Sequence, residues 1–205
     1  MTGSSSDWLQ SGPSNAEQRL VLLHGWGADA DDLLDLGPLL VGPEVNVVAL
    51  RAPEPHPYGS GRQWYNLQPI DWSQLPAARA ALRLRLEELA GSVPLARTVL
   101  LGFSQGGAMA LDVGSSLPLA GIVACSGYPH EGWHPGAAVA PVLLSHGRQD
   151  PVVPFAASEA AQERLQATGN SADLLAFDGG HTIDGAVLPQ ISAFMRRQLS
   201  VSSWK

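Results

Sequence analysis

Short, wholly apolar runs alternate along this chain with longer segments whose apolar positions recur every three or four residues. The short runs fall within residues 19–24, 45–50, 98–101, 121–126, 142–146 and 174–177. Leu20-Val21-Leu22-Leu23 is typical. A strand that is apolar at successive positions is buried on both faces. Helical spacing predicts a short helix from Asp29 toward Leu40 and another over residues 73–89, where Leu82, Leu86 and Leu89 share a face. Further helices are expected directly after Ser104, over 156–168 and over 186–199. Asp29, Asp31 and Asp32 stand where the first helix would begin, the end at which its dipole favours anions. Gly42-Pro43 stops that helix, and Gly91 with Pro94 stops the second.

Strands of this kind alternating with helices predict an α/β fold, a mostly parallel sheet with helices on both faces. Residues 18–205 read as one domain. Residues 1–17, polar and rich in Ser and Gly, read as a flexible leader in which Trp8-Leu9 touches the body. Residues 51–61, dense in Pro and Gly, are expected to be a loop. Open parallel sheets bind ligands at the carboxyl ends of their strands, so candidate chemistry is sought there.

Composition removes several function classes. The formal net charge is −7, and no basic patch is offered to a phosphate backbone, which argues against nucleic-acid binding. The lone lysine is Lys205, so a Schiff-base or P-loop lysine is out of reach. The first residues lack the basic start and apolar segment of a signal peptide, and no apolar run approaches the ~20 residues of a membrane span. Cys125 lies in Gly121-Ile122-Val123-Ala124-Cys125 and reads as a buried, inert thiol. One unpaired cysteine points to a reducing compartment, and the expected location is cytoplasmic.

The richest chemistry lies in Gly102-Phe103-Ser104-Gln105-Gly106, a Gly-x-Ser-x-Gly pattern between an expected strand and an expected helix. That context forces a sharp turn and lifts the Ser104 hydroxyl to the top of the sheet, beside a helix N-terminus. A serine needs a base, and the base needs an orienting acid. With such an elbow the chain order is serine, acid, histidine. His181, in a Gly-Gly-His loop after a strand, follows plausible strand-end acids. Asp150 sits just past the strand ending at His146; Asp112 lies inside a helix and Asp173 precedes its strand. Asp178 and Asp184, crowding His181, are weaker candidates. An oxyanion would be held by the backbone N–H groups of Gln105 and of Trp26 in His24-Gly25-Trp26-Gly27. The side chains of Gln105 and His24 are expected to brace loops.

Two rival readings exist. His130-Glu131-Gly132-Trp133-His134 matches the His-Glu-x-x-His zinc pattern. Zinc needs both histidines one turn apart on a helix, and Pro129, Gly132 and Pro135-Gly136 disfavour one. The expected form is a loop on the rim of the site. The other rival is a binding module without catalysis, which would not require a complete Ser-Asp-His set.

Several segments together resemble the phospholipase/carboxylesterase family of α/β-hydrolases, which includes acyl-protein thioesterases. They are Leu23-His24-Gly25-Trp26-Gly27, Arg62-Gln63-Trp64-Tyr65, Gly102-Phe103-Ser104-Gln105-Gly106-Gly107, Ser126-Gly127-Tyr128, His146-Gly147-Arg148-Gln149-Asp150-Pro151-Val152-Val153-Pro154 and Gly180-His181. The resemblance implies an α/β-hydrolase fold with little or no lid and a triad of Ser104, Asp150 and His181. It implies cleavage of small-molecule esters or thioesters without a cofactor or metal. The chain departs from the family's pattern at Arg148 and Asn66, where Asp is frequent. Trp26, Trp64, Tyr65, Tyr128 and Phe155 either line an apolar substrate groove or belong to the core.

Overall fold

Alternate residues of the central strands feed opposite cores. Leu20 and Leu22 pack to one side of the sheet while Val21 and Leu23 pack to the other, all four without exposed surface. Burying such side chains stabilises by roughly 1.5–3 kcal/mol each, so two-sided strands must be covered on both faces. The computed structural model describes residues 3, 4 and 7–201. In chain order its elements are β1 (Gly3–Ser4), β2 (Trp8–Ser11), β3 (Arg19–Leu23), α1 (Asp31–Leu34), α2 (Leu36–Val41), β4 (Asn46–Leu50), β5 (Glu54–Pro55) and β6 (Arg62–Gln63). There follow α3 (Leu75–Leu89), β7 (Thr98–Phe103), α4 (Gln105–Gly114), β8 (Gly121–Cys125), β9 (Val142–Gly147), α5 (Ala156–Ala167), β10 (Ala172–Phe177) and α6 (Leu188–Val201).

The main sheet has the order β1-β2-β4-β3-β7-β8-β9-β10. From β4 to β10 every pairing is parallel. Leu75, Leu82 and Leu86 of α3, Met109 of α4 and Leu165 of α5 cover one face. Leu33 of α1, Leu40 of α2 and Ile191, Phe194 and Met195 of α6 cover the other. Central β7 therefore delivers its last residue to the middle of the carboxyl edge. None of the described helices is long and apolar enough to cross a membrane.

Two expectations need correction. The flexible leader fails over Trp8–Ser11, which pairs antiparallel with β4. Trp8 packs on one core and Leu9 on the other. The physical reason is the edge of β4: its unpaired N–H and C=O groups gain a partner, and alternation of the added strand lets both side chains bury. Residues 1, 2, 5 and 6 of the expected leader lie outside the described residues. The helix from Asp29 toward Leu40 is instead two pieces, α1 and α2, meeting at Asp35. Pro38 has no N–H to offer the carbonyl one turn back, so a continuous helix cannot pass.

Candidate active site

Ser104 joins β7 to α4 with φ 53° and ψ −117°. A residue with a side chain seldom adopts positive φ, and holding one there costs about 1–3 kcal/mol. The flanking glycines permit it. A Cβ on Gly102 would strike the carbonyl of Gly106, and one on Gly106 would strike those of Leu23 and His24. The Ser104 N–H donates to the Cys125 carbonyl at 2.8 Å, carrying the sheet's hydrogen bonds past the end of β7. The Cys125 thiol itself is buried, and burial pushes it up to about 12, so it stays protonated.

Loops after β9 and β10 bring the other two groups. Their backbones are tied where Arg148 N–H donates to the Phe177 carbonyl at 2.9 Å and Gln149 N–H to the Gly179 carbonyl at 3.0 Å. His181 Nδ1 lies 2.7 Å from Asp150 Oδ2, and His181 Nε2 lies 2.9 Å from Ser104 Oγ. A carboxylate only accepts, so Nδ1 carries the hydrogen and Nε2 has the lone pair that accepts the Ser104 O–H. Asp150 Oδ1 accepts the N–H groups of Val152 at 2.8 Å and Val153 at 2.9 Å. Burial works to raise the Asp150 pKa, but the His181 hydrogen bond and the two amides outweigh it. Asp150 is thus held below the ordinary carboxylate range.

Ser104, His181 and Asp150 are brought together, and Asp112 and Asp184 turn elsewhere. Asp112 faces His130 and Arg79, and Asp184 accepts the Ala186 N–H. Sequence reasoning passed over His146. Its Nε2 is 2.9 Å from the Val153 carbonyl and 3.2 Å from Asp150 Oδ2, while its Nδ1 is 2.6 Å from Ser158 Oγ. A carbonyl only accepts, so Nε2 carries the hydrogen and Nδ1 accepts the Ser158 hydroxyl. Asp150 is therefore backed by a second imidazole. The available signal was a histidine four residues before the acid, at the end of the same strand.

The loop over His24-Gly25-Trp26-Gly27 faces the elbow: a Cβ on Gly25 would meet the Ser104 Cβ at 3.4 Å. Among the described residues the N–H groups of Trp26 and Gln105 donate to no partner. The Gln105 side chain braces, accepting the Trp64 N–H at 3.0 Å and donating to the Tyr65 carbonyl at 2.8 Å. His24 braces too, accepting the Ala52 N–H at 3.0 Å and donating to the Gly25 carbonyl at 2.8 Å. Burial depresses the His24 pKa, the Gly25 hydrogen bond only partly opposing it. The folded chain then refuses a proton that the unfolded chain accepts below about pH 6.5. Stability from this group is full above that pH and falls as pH drops below it. Calorimetric Tm values between pH 8 and pH 5 are expected to fall less steeply in His24→Gln than in the wild type.

Of the five aromatics that could line a groove or belong to the core, Trp64 and Tyr65 take the second place. They are 2% and 0% exposed and belong to the core, with the Trp64 indole N–H given to the His24 carbonyl at 3.0 Å. Phe155 packs edge-on to His146 and under the Arg148 guanidinium, against the acid loop. Tyr128 is partly exposed, and burial pushes its phenol up to about 12. Its hydroxyl is 2.6 Å from the Tyr65 hydroxyl, which is 2.8 Å from His130 Nε2. His130 Nδ1 is 2.6 Å from Asp112 Oδ2. Asp112 takes the Nδ1–H and Tyr65 donates to Nε2, leaving His130 no lone pair for a metal. Residues 130–134 form a turn, not a helix, as expected for that loop.

A serine raised on a strand-to-helix elbow, above a largely parallel sheet with helices on both faces, is the architecture of an α/β-hydrolase. The phospholipase/carboxylesterase family model matches residues 7–199. The chain belongs to that family and is an ester hydrolase. It is 31% identical over 189 residues to esterase YpfH of Escherichia coli strain K12, covering 86% of this chain and 81% of that one. It is 30% identical over 149 residues to acyl-protein thioesterase 1 of Eremothecium gossypii, covering 67% of this chain and 63% of that one. The solved structure of esterase PE8 superposes with a TM-score of 0.82 at 35% identity, over 93% of this chain and 99% of that one.

Proposed function

We propose that this chain hydrolyses carboxylic esters, and thioesters of similar shape, through an acyl-Ser104 intermediate. The observation that carries this reading is the unbroken line from the Ser104 hydroxyl through His181 to buried Asp150. Ser104 Oγ attacks the acyl carbon while its proton moves to His181 Nε2. The carbonyl electrons move onto oxygen, which the Trp26 and Gln105 N–H groups hold. Collapse breaks the bond to the alcohol, whose oxygen takes the proton from His181. Water then attacks the acyl carbon, gives a proton to His181 and releases the acid, and Ser104 recovers the proton. Asp150 keeps the imidazole in the useful tautomer and stabilises its charged form. No step calls on a cofactor.

The test is labelling by a fluorophosphonate, with the modified peptide mapped, alongside p-nitrophenyl ester hydrolysis with and without a chelator. Ser104 is expected to be labelled and the rate to be untouched by the chelator. Hydrolysis lost to the chelator with Ser104 unlabelled would instead favour the zinc reading of His130, Glu131 and His134. No turnover of any such ester, again without labelling, would favour a binding module.

A further inference from the structure

We propose that a cleft beside His181 receives the alcohol half of the ester and selects apolar alcohols over anionic ones; this rests on the acyl-Ser104 reading. The cleft has a volume of about 270 Å³ and opens between the α1–α2 segment and the loop after β10. Leu33, Leu36, Phe103 and Ile183 are its apolar lining, His181 and exposed Thr182 add polar surface between them, and exposed Asp32 lines it too. The Phe103 ring lies 4.9 Å from the His181 ring, and Ser104 is the next residue after Phe103.

The direction of proton transfer assigns the occupant. His181 Nε2 holds the Ser104 proton after attack and gives it to the departing oxygen, so the alcohol must leave on the His181 side. The carbonyl oxygen is held separately, by the amides of Trp26 and Gln105. A cleft walled by His181 and by Ile183 just beyond it is therefore placed for the leaving group. Charge narrows the class. Asp29 is paired with Arg51 at 2.8 Å, whereas Asp32 has no ion-pair partner among the described residues. An anionic alcohol entering there meets a like charge.

The experiment uses the full chain and acetate esters of straight-chain alcohols from methyl to hexyl. All give the same acetyl-Ser104, so differences in kcat/KM report on acylation, the step in which the alcohol is still bound. A fully buried methylene gives about fourfold in rate, and a half-open cleft should give about twofold per methylene. The expected result is that rise as far as butyl, flattened in both Ile183→Ala and Leu36→Ala. The dependence on acyl length, read with p-nitrophenyl esters, keeps its wild-type slope in both variants. Asp32→Asn should speed an acetate ester of a carboxylate-bearing alcohol about fivefold at low salt and less at high salt. A flat alcohol series in the wild type, variants that flatten the acyl series instead, or no effect of Asp32→Asn would each overturn the proposal. A protein that hydrolyses none of these esters and leaves Ser104 unlabelled by a fluorophosphonate would overturn the underlying reading instead.

Discussion

Ser104→Ala is expected to lower kcat for p-nitrophenyl ester hydrolysis at least ~10³-fold with little change in KM. The size follows from what the substitution removes. It deletes one oxygen, the atom 2.9 Å from His181 Nε2, and keeps the Cβ. The positive φ at this position depends on the glycines around it and not on the hydroxyl, so the elbow keeps its shape. The Trp26 and Gln105 amides would still stabilise an oxyanion, which leaves a residual rate above that of water. Steady-state kinetics beside a thermal melt would check it: the rate should collapse while Tm stays near that of the wild type. Comparable kcat in the two proteins would remove Ser104 from the chemistry.

Asp150→Asn should cost about 10⁴-fold in kcat, for a reason visible in the hydrogen bonds. Asp150 Oδ1 accepts two backbone N–H groups, so an asparagine must turn its carbonyl toward Val152 and Val153. Its amide N–H₂ then faces His181 Nδ1 and His146 Nε2, both of which carry hydrogens in the wild type. His181 escapes the conflict by moving its hydrogen to Nε2. That tautomer presents a donor to Ser104 and cannot take its proton. The variant should fold, bind substrate and fail in acylation, so a burst of p-nitrophenol on mixing with excess substrate would be lost. Retention of more than about a tenth of wild-type kcat would contradict the role given to Asp150. Because Asp150 is held below the ordinary carboxylate range, its protonation should not limit wild-type activity above about pH 4.

Much of the fold was legible because apolar runs and helical spacing are local signals. Leu20-Val21-Leu22-Leu23 and Val142-Leu143-Leu144 could be placed as buried strands from their own residues alone. Ser104, Asp150 and His181 were legible for another reason: each sits at a strand end in a motif whose Gly or Pro punctuation fixes where the strand stops. Trp64 and Tyr65 were not, since an aromatic pair after a Pro-Gly loop has the same composition whether it walls a groove or fills a core. His146 was hidden by lying on a strand, where direction alternates and its contact with Asp150 depends on how the following loop folds back. The partner of Trp8–Ser11 was hidden too, because edge pairing is a property of β4's free backbone and not of the segment that joins it.

The amino-acid sequence alone determined the alternation of strands and helices, the sharp turn at Ser104 and the chemical types available at three strand ends. These depend on residues near one another along the chain, through backbone sterics and side-chain periodicity. Tertiary structure decided which hydrogen each imidazole carries, which acid His181 faces, and that His130 is committed to Asp112 and Tyr65. Those outcomes depend on distances of a few ångströms between segments tens of residues apart, set by strand order and by the carbonyls and carboxylates that each ring nitrogen meets.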